Sequence, residues 1–202
     1  MSILNREGSV LDHIGSHYTD IDTGELLDKI RADLHPPQQQ FFDNQNEIVG
    51  LSAGYGAGKT RALCSMAVKL AAMNIGFIGA VMEPTAPLIR DIWQTDFELF
   101  LEQYEIPYTF RASPLPEYQL TFEEGTHTIL LRTILTYQRL RGQNLCAVGF
   151  DEADTVNKRD AEQAMNMALA RLRSGNIQQF YATTTPEGHA WAFETFEKNA
   201  KE

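Results

Sequence analysis

The stretch from residue 47 to residue 73 constrains this chain more than any other. Residues 47–53 form a short apolar run with β-branched side chains, Ala53-Gly54-Tyr55-Gly56-Ala57-Gly58-Lys59-Thr60 follows at once, and residues 59–73 carry a helical pattern. A strand, a tight glycine loop and a helix in that order are the setting a phosphate-binding loop requires. The glycines let successive backbone N–H groups converge on phosphate oxygens, and the helix N-terminus adds partial positive charge. Lys59 is placed to reach the β- and γ-phosphates of a nucleotide, and the Thr60 hydroxyl to hold Mg²⁺. The strict pattern has glycine at 53, where this chain has alanine. A chance glycine turn before a helix would not need the flanking strand and helix, and both are here.

The rest of the chain continues the alternation. Asp22 precedes Leu26, Leu27, Ile30 and Leu34 at helical spacing and, with Glu25 three residues on, reads as an N-cap; His35-Pro36-Pro37 is expected to stop that helix. Residues 76–82 read as a buried strand, and Thr85-Ala86-Pro87 as an N-cap and early-turn proline for a helix carrying Ile89, Ile92, Trp93, Phe97, Phe100 and Tyr104. Strands are expected at 108–113, 117–123 and 127–134, with Glu124-Gly125 turning between the last two. Residues 145–150 form an apolar run ending in Asp151 and Glu152, Ala161 to Leu172 present one apolar helical face, and a strand at 177–183 precedes a helix near 189–199. The fold class implied is α/β, a P-loop domain with a central, mostly parallel sheet covered by helices on both faces.

Composition sets the outer bounds. With 202 residues, 43% hydrophobic, 14 Gly and 8 Pro, the chain suits one globular domain and neither a disordered nor a collagen-like one. No apolar run approaches the ~18 residues that span a bilayer. Arg6 and Glu7 stand where a signal peptide would need an apolar stretch, so a soluble protein that is not exported is expected. Cys64 and Cys146 lie far apart inside apolar segments, which suits neither a disulfide framework nor a metal cluster. The net charge of -10 divides into -6 over residues 1–50 and -4 over the remainder. A domain gripping nucleic acid by neutralising phosphates should be basic, so any DNA affinity of this chain alone should be weak.

A phosphate loop needs carboxylates opposite it. Asp151, ending a buried strand, suits the Walker B role of holding Mg²⁺, and Glu152 suits polarising the water that attacks the γ-phosphate. Asp154 completes an Asp-Glu-Ala-Asp string and is expected to cap the following helix. Thr183, Thr184 and Thr185 follow a strand, and hydroxyls at that end of a neighbouring strand face the same crevice as the phosphates.

Together these segments carry a resemblance. Leu34-His35-Pro36-Pro37-Gln38, the loop at 53–60, Glu83-Pro84-Thr85, Arg139-Leu140-Arg141-Gly142, Asp151-Glu152-Ala153 and Thr183-Thr184-Thr185-Pro186-Glu187-Gly188 with Trp191 and Phe196 resemble, in that order, the ATPase domain of a tailed-bacteriophage large terminase. The resemblance runs from about residue 34 to 200, with residues 1–33 as an N-terminal helical segment. It implies an ATPase that uses ATP and Mg²⁺ to drive double-stranded DNA into a procapsid. Gln38, among three successive glutamines, would read adenine; Thr183 to Thr185 would couple nucleotide state to the motor. Arg141, or else Arg139, would be offered to a neighbour's nucleotide, a role that gains weight because Tyr55 and Gly56 stand where some relatives carry a loop arginine. A surface salt bridge is the alternative for Arg141. The implied partners are DNA, the capsid portal, the small terminase subunit and further copies in a ring, the isolated domain being a monomer in the host cytoplasm without membrane attachment. Family members carry a second, nuclease domain, for which no room follows Gly188, so an excised motor domain without nuclease activity is expected.

The nearest rival is the first lobe of a superfamily 2 helicase of the DEAD-box kind. Against it, Pro84-Thr85 leads into Ala86-Pro87-Leu88-Ile89 instead of Arg-Glu-Leu-Ala, no Thr-Pro-Gly-Arg element is present, and three threonines replace Ser-Ala-Thr. A nucleotide-gated binding module without turnover is a further reading, and the intact Glu152 argues against it.

Overall fold

A computed structural model describes residues 22–186 and 191–198. In chain order the elements are α1 (Thr23–Ala32), α2 (Pro36–Asp43), β1 (Ile48–Ser52), α3 (Lys59–Met73), β2 (Ile78–Glu83) and α4 (Ala86–Leu88). A π turn (Ile89–Trp93) then leads into α5 (Gln94–Gln103), followed by β3 (Tyr108–Arg111), β4 (Glu117–Phe122) and β5 (Gly125–Thr133). A 3-10 segment (Ile134–Leu140), β6 (Ala147–Asp151), a 3-10 turn (Ala153–Thr155), α6 (Lys158–Leu169), β7 (Gln179–Thr184) and a π turn (Phe193–Lys198) complete the described chain.

The strands form one seven-stranded sheet in the order β1-β7-β6-β2-β5-β4-β3. β1, β7, β6, β2 and β5 run parallel, and β4 and β3 are added antiparallel at one edge. The reason is legible in burial. Every residue of β6 and β7 is buried, as strands covered on both faces must be. β4 instead alternates buried with exposed or half-buried residues, which is the pattern of a strand with one wet face. One core joins α1, α2, α3 and α5 to one face of the sheet, around Leu63, Met66, Trp93, Phe97 and Tyr118. The other joins α6 and the C-terminal segment to the opposite face, around Phe150, Phe180, Leu140 and Trp191.

Three local expectations are corrected. Pro36-Pro37 do not simply end a helix: they occupy the first turn of α2, where a missing N–H costs nothing, and Gln38 closes a capping box by accepting from the His35 amide. The β4–β5 turn is Glu123-Glu124, because Gly125 (φ 141°) already pairs with Phe122. Thr85 caps with its backbone only, its side chain making no capping bond. Asp22 caps α1 as expected, accepting from Gly24 N at 2.6 Å and Glu25 N at 3.1 Å. Trp191 and Ala192 are helical within the expected 189–199 segment, of which residues 189, 190 and 199 lie outside the described residues, as do Glu187 and Gly188.

Candidate functional site

Because β1, β7, β6 and β2 are parallel neighbours, their carboxyl ends lie along one rim, and the chemistry-bearing residues stand there. The loop leaving β1 turns through Gly56 (φ 73°) and Gly58 (φ 76°), a left-handed conformation that side chains resist. Gly58 has a second constraint. A Cβ there would collide with Gln38 Nε2, which instead donates to the Gly58 carbonyl at 2.8 Å. Gln38 is buried with its amide engaged at both ends, by His35 N and by the loop. α2 is thereby a brace under the phosphate loop. Gln39 bonds the Arg31 carbonyl instead, and Gln40 is exposed.

Lys59 begins α3 and is only 7% exposed. Its Nζ lies 3.3 Å from the Gly54 carbonyl, 3.4 Å from Glu152 Oε1 and 5.7 Å from the centre of the Tyr55 ring. Tyr55 itself is 86% exposed, standing over the loop. Thr60 follows on the first turn of α3, whose leading amides have no partner inside the helix. Lys59, Thr60, Tyr55 and Glu152 border a cleft of about 540 Å³, whose far wall is Asp96, Leu99, Phe100 and Gln103 of α5. That size is within the range of small-ligand sites.

The end of β7 is fastened to the end of β6 residue by residue. Thr183 Oγ1 donates to Asp151 Oδ1 at 2.5 Å, the Glu152 amide donates to the Thr183 carbonyl at 2.9 Å, and the Asp154 amide donates to Thr184 Oγ1 at 3.3 Å. Thr185 donates to Glu152 twice, from its amide at 2.8 Å and its hydroxyl at 3.0 Å. Glu152 adopts a left-handed backbone (φ 45°, ψ 41°), uncommon for a residue with a side chain. This conformation turns its carboxylate toward Lys59. Backbone strain held in place by surrounding bonds is a frequent property of reactive positions.

One participant has no role in the sequence reading. Glu83, at the end of β2, is 3% exposed and its carboxyl interacts with that of Asp151, and its Oε1 has no hydrogen-bond partner among the described residues. Burial, then the charges of Asp151 and Glu152, push its carboxyl well above the usual range. Burial likewise pushes Asp151 up to about 6, against the Thr183 hydroxyl, which pulls it down. The signal was present: an acid ending an apolar strand, as in Ile78–Glu83, is the same signature that singled out Asp151.

The rim therefore brings Lys59, Thr60, Asp151, Glu152 and Thr183 to Thr185 together. Arg139 and Arg141 are not in the cleft wall; they are exposed at the end of the 3-10 segment, and neither forms an ion pair among the described residues. Asp154 does not cap α6. Asn157 does so, accepting from Asp160 N at 3.0 Å, while the Asp154 carboxylate accepts the Ala192 amide at 2.9 Å.

The family model for the N-terminal part of T4-like-virus-type large terminase subunits matches residues 51–202. Among solved structures, the large terminase from a thermophilic bacteriophage, in complex with ADP, superposes with a TM-score of 0.64 at 16% identity, over 88% of this chain and 41% of that one. The ATPase domain of the Thermus phage P74-26 large terminase gives 0.60 at 19% identity, over 83% and 71%. The bacteriophage HK97 large terminase gives 0.59 at 13% identity, over 83% and 36%. This chain spans about two fifths of the ADP-bound thermophilic-phage protein. At these identities the likeness is one of fold, a RecA-like P-loop sheet. No curated protein sequence matches.

Proposed function

Because the chain belongs to the large terminase subunits of the T4-like-virus type, as their N-terminal part, we propose that it binds ATP with Mg²⁺ and hydrolyses it. Within a full-length terminase this turnover would drive double-stranded DNA into a procapsid, on a portal, with a small subunit, in the host cytoplasm. The observation that carries the reading is the placement of Glu152 beside Lys59 at the cleft, 3.4 Å apart, with Thr185 holding the carboxylate.

The residues divide the work as follows. Backbone amides from Ala53 to Thr60 cradle the phosphates, and Lys59 leaves Gly54 and Glu152 to neutralise the β- and γ-oxygens. Glu152, released from Lys59, accepts a proton from the water that attacks the γ-phosphorus, and ADP leaves with the bridging oxygen. Gln38 braces the loop through Gly58, and its second amide hydrogen is proposed to meet the adenine edge.

The acids suit a divalent cation brought by the nucleotide. Asp151 and Glu152 face Lys59 and Glu83 stands by the two acids, yet among the described residues no group of three or more such side chains could hold a metal alone. Thr60 and Asp151 would hold Mg²⁺ jointly with the phosphates, where its charge offsets that developing on the transferred group. The hydroxyls of Thr183 to Thr185, fastened to Asp151, Glu152 and the Asp154 amide, are proposed to carry the nucleotide state onward.

Residues 34–202 are proposed as the ATPase domain. α1 of the preceding segment packs Leu26 and Ile30 into the same core as α3. Arg141 is proposed to act on a neighbouring subunit's nucleotide, supported by its exposure and its lack of a salt-bridge partner among the described residues. The helicase alternative draws no support from the family match, which covers most of the chain.

The test is phosphate release with Mg²⁺-ATP. Wild-type protein should release phosphate, EDTA should stop it, and Lys59→Ala should lose both release and tight binding of a fluorescent ATP analogue. Release unchanged in Lys59→Ala would remove the site from this cleft.

A further inference from the structure

Asp154 is 6% exposed, in the 3-10 turn two residues after the proposed water activator. It bonds to two segments that also pack against each other, Thr184 and Ala192 lining a common cavity. Its amide donates to Thr184 Oγ1 at 3.3 Å, on the strand end that also holds Glu152 through Thr185, and its Oδ1 accepts the Ala192 amide at 2.9 Å. A second tie lies beside it: Lys158, opening α6, pairs with Glu194 at 2.5 Å. Trp191 is fully buried in the same region, its ring 6.1 Å from Phe150 and 6.4 Å from Phe180. Phe150 immediately precedes Asp151 on β6.

Burying a carboxylate is costly unless it is well paired, so this one has a specific use. A cap for α6 is not that use, because Asn157 supplies it. The left-handed backbone of Glu152 means that the turn carrying Asp154 cannot relax freely when Glu152 changes partners. A short turn bonded on one side to the nucleotide rim and on the other to the C-terminal segment transmits displacement between them.

We infer that Asp154 is a positioning residue that links the nucleotide-dependent placement of Glu152 to the C-terminal segment at Trp191 and Ala192. The inference rests on the proposed nucleotide site and adds the route by which its state leaves the domain. Asp154 is not among the residues that border the cleft.

The chain has two tryptophans, Trp93 and Trp191. Labelled with 5-fluorotryptophan and assigned with Trp93→Phe, they give two ¹⁹F signals. Adding Mg²⁺-ATPγS to wild-type protein should shift the Trp191 signal and change hydrogen exchange at the Ala192 amide. Asp154→Ala should lose the Trp191 shift while a fluorescent ATP analogue binds within about threefold of wild type. Asp154→Asn keeps an accepting oxygen and should restore the shift in part. Thr184→Val, which removes the other end of the link, should diminish it without touching Ala192. If Asp154→Ala does not fold, the wild-type exchange at Ala192 decides: no nucleotide dependence there overturns the link. A full Trp191 shift in folded Asp154→Ala overturns it as well. Failure of the analogue to bind wild-type protein is a different result, and overturns the nucleotide reading together with the link.

Discussion

At the scale of single residues the rim is a concentration of like charge held by few counter-charges, and its pH behaviour should show it. Asp151, raised to about 6 by burial, binds its proton more tightly folded than unfolded. Its contribution to stability is therefore full below about pH 4, the range of an ordinary carboxylate, and is lost as the pH rises through 6. Asp151→Asn keeps an oxygen for the Thr183 hydroxyl and the Glu152 amide and removes the buried charge. In urea unfolding without nucleotide or metal, Asp151→Asn should be more stable than wild type by about 1–3 kcal/mol at pH 7, with the difference closing near pH 4. Equal stabilities at pH 7 would show that ionised Asp151 is not penalised there. Glu83, raised by the same burial and by Asp151, belongs to the same titration.

At the scale of elements, the rim depends on what stands beneath it. α2 holds the phosphate loop through one buried amide, so Gln38→Ala should cost about 1–2 kcal/mol of stability and weaken ATP and GTP to a similar degree. Affinities measured for both nucleotides check this, and a loss confined to ATP would instead make base reading the main role of Gln38. This brace is also where reading the sequence fell short. A double proline after a helical run looks like a stop, and only the approach of Gln38 to Gly58, twenty residues on, shows why a new helix starts there. By contrast β1, α3, β6 and β7 were legible, because a loop with three glycines and two strands without a polar face leave few alternatives. The position of the candidate site was legible to the same extent: Lys59, Thr60, Asp151 and Glu152 lie at element ends that periodicity fixes. What pairs with them was not. The partnerships of Thr185 with Glu152 and Asp154 with Ala192 join segments more than thirty residues apart, and no local pattern encodes them.

At the scale of the whole molecule, one chain presents a lysine with the carboxylate proposed to activate water and the pair proposed to hold Mg²⁺, while Arg139 and Arg141 are not in the cleft wall. An arginine supplied in trans is worth about 10³ to 10⁵ in rate. Specific ATPase activity should therefore rise with protein concentration, and Arg141→Ala should flatten that rise while nucleotide affinity stays within about threefold. Concentration-independent turnover would return Arg141 to an ordinary surface role. The net charge of -10 gives the chain little means of gripping DNA by itself, which agrees with the proposed role as a motor part inside a larger assembly. Glu152, aimed at the cleft from its left-handed backbone, is proposed to activate water against bound ATP. The most direct measurement is single-turnover hydrolysis of γ-labelled ATP by wild type and Glu152→Gln, with nucleotide affinity determined on the same samples. Glu152→Gln should lose about 10²- to 10⁴-fold in the hydrolysis step with affinity retained. Hydrolysis at the wild-type rate in Glu152→Gln would contradict the proposed role.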